Sequence, residues 1–291
     1  MKILTFDTEE WYIEKYLNGG RKEKYRRYEL LDWILNTLDK NNIQATFFCV
    51  GQLAVEFPEV VKRISDNGQE VGCHSNRHLW INKMSKPEFA EDTRIAVQEI
   101  ENLIGKKVSS FRAPAFSIGK DNDWAFEVLA ENGIEYDCSV FPASRDLGGF
   151  PQFTSTIPSL VKKNDYTIKE LPVCPARLMG KAVPFSGGGY FRLVPLWLHK
   201  ELISRMDYVM FYFHINDLIG QSSKFMTKQE FEEYYKEPGT LKNRIIRYVK
   251  TNIGKGGALN KLDTLLGNYS FCNAQQAAES IDWSKQPLIE L

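Results

Sequence analysis

Asn67-Gly68-Gln69-Glu70-Val71-Gly72-Cys73-His74-Ser75 and Asn132-Gly133-Ile134-Glu135-Tyr136-Asp137-Cys138-Ser139 are near-repeats of one another. Each opens with Asn-Gly, which ends a helix in the left-handed conformation that glycine adopts without a Cβ clash, and then hands over to a strand. Working outward, helical spacing precedes both joints, at Leu53 to Asn67 and at Asp123 to Asn132. Residues 2 to 6 form an apolar strand, Tyr28 to Lys40 an amphipathic helix, and Gln44 to Val50 a β-rich run. Lys86 to Ile104 reads as a long helix with Pro87 in its first turn, and Val108 to Phe111 as another strand. Residues 140 to 190 interrupt the rhythm with Pro and Gly, including Gly187-Gly188-Gly189, which reads as a tight loop. Leu196 to Arg205 is again helix-like, Tyr208 to Phe213 strand-like, and the chain beyond 220 helical.

Strands alternating with helices imply parallel pairing and right-handed crossovers, hence an α/β doubly wound sheet or β/α barrel. Both collect their chemistry at the carboxyl ends of the strands. Asp7, His74, Arg112, Asp137 and His214 each close or follow one of the strands read above. Reactive side chains at successive strand ends point to an enzyme.

Composition narrows the class. The 291 residues carry 37 Lys and Arg against 37 Asp and Glu, so no basic surplus is available for general nucleic-acid binding. Acidic residues begin at Asp7, before an export signal could be completed, and no apolar run approaches the ~20 residues needed to span a bilayer. A soluble, cytoplasmic protein is expected. Cys49, Cys73, Cys138, Cys174 and Cys272 lack CxxC spacing and read as buried free thiols.

His74 and His78 are four apart, a spacing that brings two imidazoles to one side of a helical turn. Asp7-Thr8-Glu9-Glu10 supplies carboxylates at the end of the first strand, where Asp7 and Glu9 share a face. One carboxylate with two imidazoles leaves open positions on a divalent cation, the pattern of a catalytic metal site. His199, on an apolar helix, reads as surface or core.

These residues resemble the motifs of the polysaccharide deacetylase family, the NodB-homology hydrolases of carbohydrate esterase family 4. Thr5-Phe6-Asp7-Thr8-Glu9-Glu10 is similar to the first motif, His74-Ser75-Asn76-Arg77-His78 to the second, and Arg112-Ala113-Pro114 to the third. Tyr136-Asp137-Cys138-Ser139 and Phe211-Tyr212-Phe213-His214 stand in the place of the fourth and fifth. Arg112 to Ile118 and Gly187 to Leu193 further resemble a subgroup associated with exopolysaccharide synthesis. The resemblance implies a distorted (β/α) barrel of about seven strands over residues 1–220, with residues 221–291 as a helical extension packed on it.

It also implies removal of acetyl from an N-acetylated amino sugar of a polysaccharide or precursor, with a divalent cation: zinc first, and cobalt, nickel or manganese as alternatives. The implied ligands are Glu9, His74 and His78. Asp7 is the implied base, paired with Arg112, His214 the implied acid, and Asp137 the carboxylate expected to hold His214 charged. A backbone N–H near Trp11 or Tyr12 would complete an oxyanion site. Two departures stand out: Thr8 replaces the usual second aspartate, making Glu9 the expected ligand with Glu10 in reserve, and His214-Ile215-Asn216-Asp217 replaces the subgroup's His-Pro-Trp-Glu. A small-molecule amidohydrolase and a carbohydrate-binding pseudoenzyme are the competing readings.

Overall fold

The computed structural model describes residues 1–9, 24–144, 148–178, 181–218, 225–235 and 237–291. In chain order the strands are β1 (Lys2–Thr8), β2 (Thr46–Cys49), β3 (Glu70–Cys73), β4 (Ser110–Phe111), β5 (Tyr136–Asp137), β6 (Ser159–Lys163), β7 (Tyr166–Glu170), β8 (Ala176–Leu178), β9 (Lys181–Val183), β10 (Val209–His214) and β11 (Leu288–Glu290). Among the described residues one sheet runs β10-β1-β2-β3-β4-β5-β7-β6-β11, and β8 pairs with β9 separately. Every neighbour from β10 to β7 is parallel, as strand–helix alternation predicts.

Period-two alternation divides the strand side chains between two layers. Leu4 and Phe6 of β1 join Phe47, Val71, Phe111 and Phe213 in the layer packed beneath the helices. Ile3 instead joins Phe48, Tyr136, Leu171, Met210 and Tyr212 in a second, interior cluster. That cluster draws on β10 and on β5 and β7, which stand far apart in the sheet order, so the sheet must curl around it. Tyr208, just before β10, donates its hydroxyl to the carbonyl of Pro172, just after β7, at 2.7 Å. The curled parallel strands form the distorted barrel.

The carboxyl-terminal region is built into this frame. Helices Lys228–Tyr235, Leu241–Asn252, Ala258–Asn268 and Ala274–Ser280 lead to β11, which pairs with β6. Cys272 exchanges backbone hydrogen bonds with β1, donating to Lys2 O and accepting from Leu4 N. Ala274, Ala277 and Ala278 then pack against the interior cluster. Beside them Glu70 accepts from Thr46, Ser110 and Tyr136 hydroxyls and from the Gln275 amide, tying β2 to β5 and the extension together.

Three local expectations are corrected. The helix expected over Leu53 to Asn67 is two helices, Gly51–Glu56 and Pro58–Asp66, because Pro58 lacks the donor needed to continue a helix and disfavours helical geometry at Phe57. The interruption at 140–190 holds the antiparallel β6–β7 pair and the β8–β9 ribbon. The helical tail ends in a strand. Four cysteines are buried and Cys272 is partly buried, all as free thiols.

Candidate metal centre and active site

Alternation along β1 carries Asp7 and then Glu9 to the same interior side as Ile3 and Thr5. Both carboxylates are almost fully buried. In the β1–β10 register Asp7 lies directly opposite His214, so neighbouring strands deliver a carboxylate and an imidazole together.

The two histidines after β3 converge on Glu9. Its Oε2 contacts His78 Nε2 and lies 3.4 Å from His74 Nε2. The expected helical turn is absent: residues 74–80 are irregular, and Ser75 and His78 have φ of 60° and 55°. The loop is pinned instead. Gly51 and Gln52 donate to the carbonyls of Ser75 and Asn76, and the Asn76 amide donates to Asp92 on the Lys86–Ile104 helix at 2.7 Å. A Cβ at Gly51 would fall 2.6 Å from Asn76 Oδ1, so only glycine fits there. Burial pushes the Asp92 carboxyl up, against the hydrogen bonds it accepts from this loop.

Arg112, wholly buried, runs across the barrel interior. Its Nη1 donates to Asp7 Oδ1 at 2.8 Å and to Thr5 Oγ1 at 2.7 Å, its Nε donates to Cys138 O, and its guanidinium lies 4.4 Å from the Phe48 ring centre. The Arg112 carbonyl accepts from His74 Nδ1 at 2.7 Å. A carbonyl can only accept, so Nδ1 carries the proton and Nε2 turns its lone pair toward Glu9.

His214 stands 3.3 Å from Glu9 Oε1 through its Nε2. The carboxylate at its other nitrogen is Asp217, not Asp137 as expected. The turn Ile215–Leu218 folds Asp217 back so that Oδ2 accepts from both His214 Nδ1, at 3.1 Å, and the His214 amide, at 3.0 Å. Arg192, on the helix that starts within the glycine run, donates to the Asp217 carbonyl at 2.8 Å. Gly187 packs against Tyr212 where a Cβ would overlap the ring, and Gly188, at φ +41°, leaves just enough room for Asp217.

Asp137 occupies another environment because of its parity. Tyr136 and Cys138 face the interior, so Asp137 faces the other way, accepting from Ser139 Oγ at 2.5 Å and meeting Glu170 on β7. Burial raises Asp137 to about 6 and, together with the adjacent Asp137, holds Glu170 well above the ordinary carboxylate range. His199 is a core residue whose two ring nitrogens face the Pro195 and Phe185 carbonyls. Glu10, Trp11 and Tyr12 lie outside the described residues. The sequence reading missed Asp217, Asp92 and Arg192. An acidic residue three places after a strand-end histidine was the available signal for the first.

Electrostatics distinguish the groups. Burial alone would raise Glu9, but the charges on His78 and His214 outweigh it and hold that carboxyl well below its usual range. Burial likewise opposes charge on His214, yet Glu9, Asp217 and Asp7 push it well above 6.5. Burial is outweighed again at Asp217, which His214 and Arg192 hold low. One carboxylate oxygen and two imidazole nitrogens lie within 4.8 Å of one another. Converging lone pairs repel unless a proton or cation sits among them, and an O,N,N set suits a divalent transition ion.

Fold and site together define a distorted β/α barrel with a cation-ready donor set at the carboxyl ends of its strands. Residues 3–136 match the family pattern "Polysaccharide deacetylase", and residues 138–279 match a domain of unknown function, DUF3473. A peptidoglycan-N-acetylglucosamine deacetylase of Bacillus cereus is 32% identical over 102 residues, 35% of this chain and 37% of its own length. The peptidoglycan-N-acetylglucosamine deacetylase PgdA of Listeria monocytogenes is 30% identical over 87 residues, 30% of this chain and 19% of its own. These matches thus span little more than a third of the curated relatives at most. The crystal structure of a candidate polysaccharide deacetylase from Mycobacterium smegmatis aligns over 100% of this chain and 92% of its own at a TM-score of 0.66 and 16% identity, which establishes the shared fold.

Proposed function

We propose that this chain is a metal-dependent deacetylase that hydrolyses the N-acetyl group of an amino sugar in a glycan or glycan precursor, releasing acetate. One observation carries the reading. The Glu9, His74 and His78 donor set meets His214, which Asp217 holds, and Glu9 shares its face of β1 with Asp7, which Arg112 holds. The named relatives act on N-acetylated sugars of peptidoglycan, which supports the substrate class.

A divalent ion, zinc first and cobalt, nickel or manganese next, would polarise the amide carbonyl and lower the pKa of a bound water toward roughly 7. Asp7 takes the proton from the attacking water, and the buried Arg112 fork fixes which way that carboxylate points. As the water oxygen bonds to the carbonyl carbon and the carbon–nitrogen bond breaks, His214 gives its proton to the departing amine. Asp217 orients the imidazole and favours its charged form throughout.

The test is acetate release from N-acetylglucosamine oligosaccharides by zinc-loaded protein, beside Asp7→Asn and His78→Ala. The reading requires activity that both substitutions abolish, and equal rates in all three would sink it. Sugar binding without acetate release would mark a carbohydrate-binding protein instead.

A further inference from the structure

His74 and His78 reach Glu9 on different supports. The His74 ring is fixed at its far nitrogen, where Nδ1 donates to the Arg112 carbonyl at 2.7 Å. The His78 ring has no such anchor: among the described residues its partners are Glu9, through Nε2, and the His74 ring, with centres 5.2 Å apart. The direction in which His78 points is therefore set by its backbone. That backbone is left-handed at His78 and again at Ser75, with φ of 55° and 60°. A residue with a Cβ holds this conformation only where surrounding contacts impose it.

Those contacts converge on Asn76 and Arg77, the two residues between the left-handed positions. Asp92, almost fully buried, accepts from both of their amides, that of Asn76 at 2.7 Å. Successive main-chain N–H groups turned toward one carboxylate form a concave cradle for it. The loop is held from the other side by Gly51 and Gln52, which donate to the Ser75 and Asn76 carbonyls. Asp92 itself sits on a rigid element. The Lys86–Ile104 helix starts in a capping box at Ser85 and Glu88, buries Phe89, Ala96 and Ile100 in the core, and packs so closely on Gly51 that a Cβ there would lie 2.7 Å from the Ala96 Cα. We infer that Asp92 is a positioning residue for the metal centre: through the Asn76 and Arg77 amides it fixes the angle at which His78 presents Nε2, and so sets the affinity and coordination geometry of the bound divalent ion, an inference that rests on the proposed function only in taking Glu9, His74 and His78 as ligands. Asp92 touches none of the three donor atoms and acts through the loop alone.

The experiment measures zinc affinity of the full chain by competition with a chromogenic chelator, and coordination geometry by the visible absorption of the cobalt-loaded protein. Neither readout needs catalysis. Asp92→Asn keeps the volume but offers one acceptor oxygen in place of two, and Asp92→Ser offers a single hydroxyl. Both are expected to bind zinc about 10–100-fold more weakly than wild type, with altered cobalt bands. Ile100→Ala, about two turns further along the same helix, opens a gap in the core and is expected to lower Tm while keeping wild-type zinc affinity and cobalt absorption. The gain in Tm on adding zinc, readable even in a variant of low stability, should be smaller in Asp92→Asn than in Ile100→Ala. Wild-type affinity and cobalt bands in the Asp92 variants overturn the inference. So does an equal loss of affinity in Ile100→Ala, which would assign Asp92 to stability alone. A wild-type chain that binds no zinc would sink the metal reading first, and this inference with it.

Discussion

Arg112, directly after β4, and Asp7 on β1 belong to strands with two others between them, and their side chains meet at 2.8 Å. In a flat sheet those strands would stand about 14 Å apart. The curl of the sheet brings them together around a guanidinium that also holds Thr5 and Cys138. Removing Arg112 would leave Asp7 charged and buried without its partner, at a cost of about 3–5 kcal/mol. Arg112→Ala is therefore expected to unfold at a much lower temperature. Arg112→Lys keeps the charge but loses the fork, and is expected to fold with a lower Tm and at least roughly tenfold slower turnover. A lysine variant with wild-type Tm and turnover would contradict this role.

Glu9, rather than position 8, supplies the carboxylate facing His74 and His78. Thr8 has the parity of Phe6, which packs on the helix side of the sheet. Glu9→Gln should weaken zinc binding by roughly 100-fold or more, read by competition with a chromogenic chelator. Thr8→Asp, although it restores the usual family residue, should gain no affinity and should lower Tm, because its new charge is buried on the wrong side of the strand. Tighter zinc binding by Thr8→Asp would show that the strand presents its side chains otherwise.

Asp217 Oδ2 accepts from both the ring Nδ1 and the amide of His214, the support that the proposed role of His214 as proton donor requires. Asp217→Asn is expected to slow hydrolysis of an N-acetyl amide by roughly 100-fold while leaving zinc content unchanged. An activated aryl acetate, whose leaving group departs without a proton, should lose far less. Equal losses on amide and ester would assign Asp217 a structural role only.

Asp137 and Glu170 make stability depend on pH in the direction opposite to most carboxylates. Burial raises both in the folded state, so the folded protein holds protons that the unfolded chain releases at ordinary carboxylate pKa values. Their contribution is complete at low pH and is lost as pH rises from about 4 through about 6, and further as Glu170 ionises. Glu170→Gln removes one of the two charges and keeps an oxygen for the Val140 amide, so its Tm at pH 8 should exceed wild type by on the order of 2–4 °C per kcal/mol relieved. Thermal unfolding between pH 4 and 8 decides it: identical pH profiles for variant and wild type would exclude the pair as the cause.

Much of the site was legible because strand ends are legible. The apolar runs before Asp7, His74, Arg112 and His214 identify their strands, and a parallel sheet places those ends on one rim. Asp137 was misjudged because being at a strand end does not say which face a residue occupies. In a strand of two residues, Tyr136–Asp137, one step of parity separates the barrel interior from the outer layer. The His74–His78 loop was misread as a helical turn because a four-residue spacing is shared by a helix and by a loop held through backbone contacts to Gly51, Gln52 and Asp92.

The sequence by itself determined the alternation of strand and helix, the order of the motifs and the chemistry present at each strand end, because these rest on periodicity and local backbone preference. The tertiary structure alone decided which carboxylate serves His214 and which meets Asp137: Asp217 for the first and Glu170 for the second. It also exposed Leu241, Ile245 and Val249 on one arc of the Leu241–Asn252 helix, which periodicity alone would have buried. Curvature of the sheet and the facing of each side chain arise from packing over the whole barrel, and no stretch of neighbouring residues encodes them.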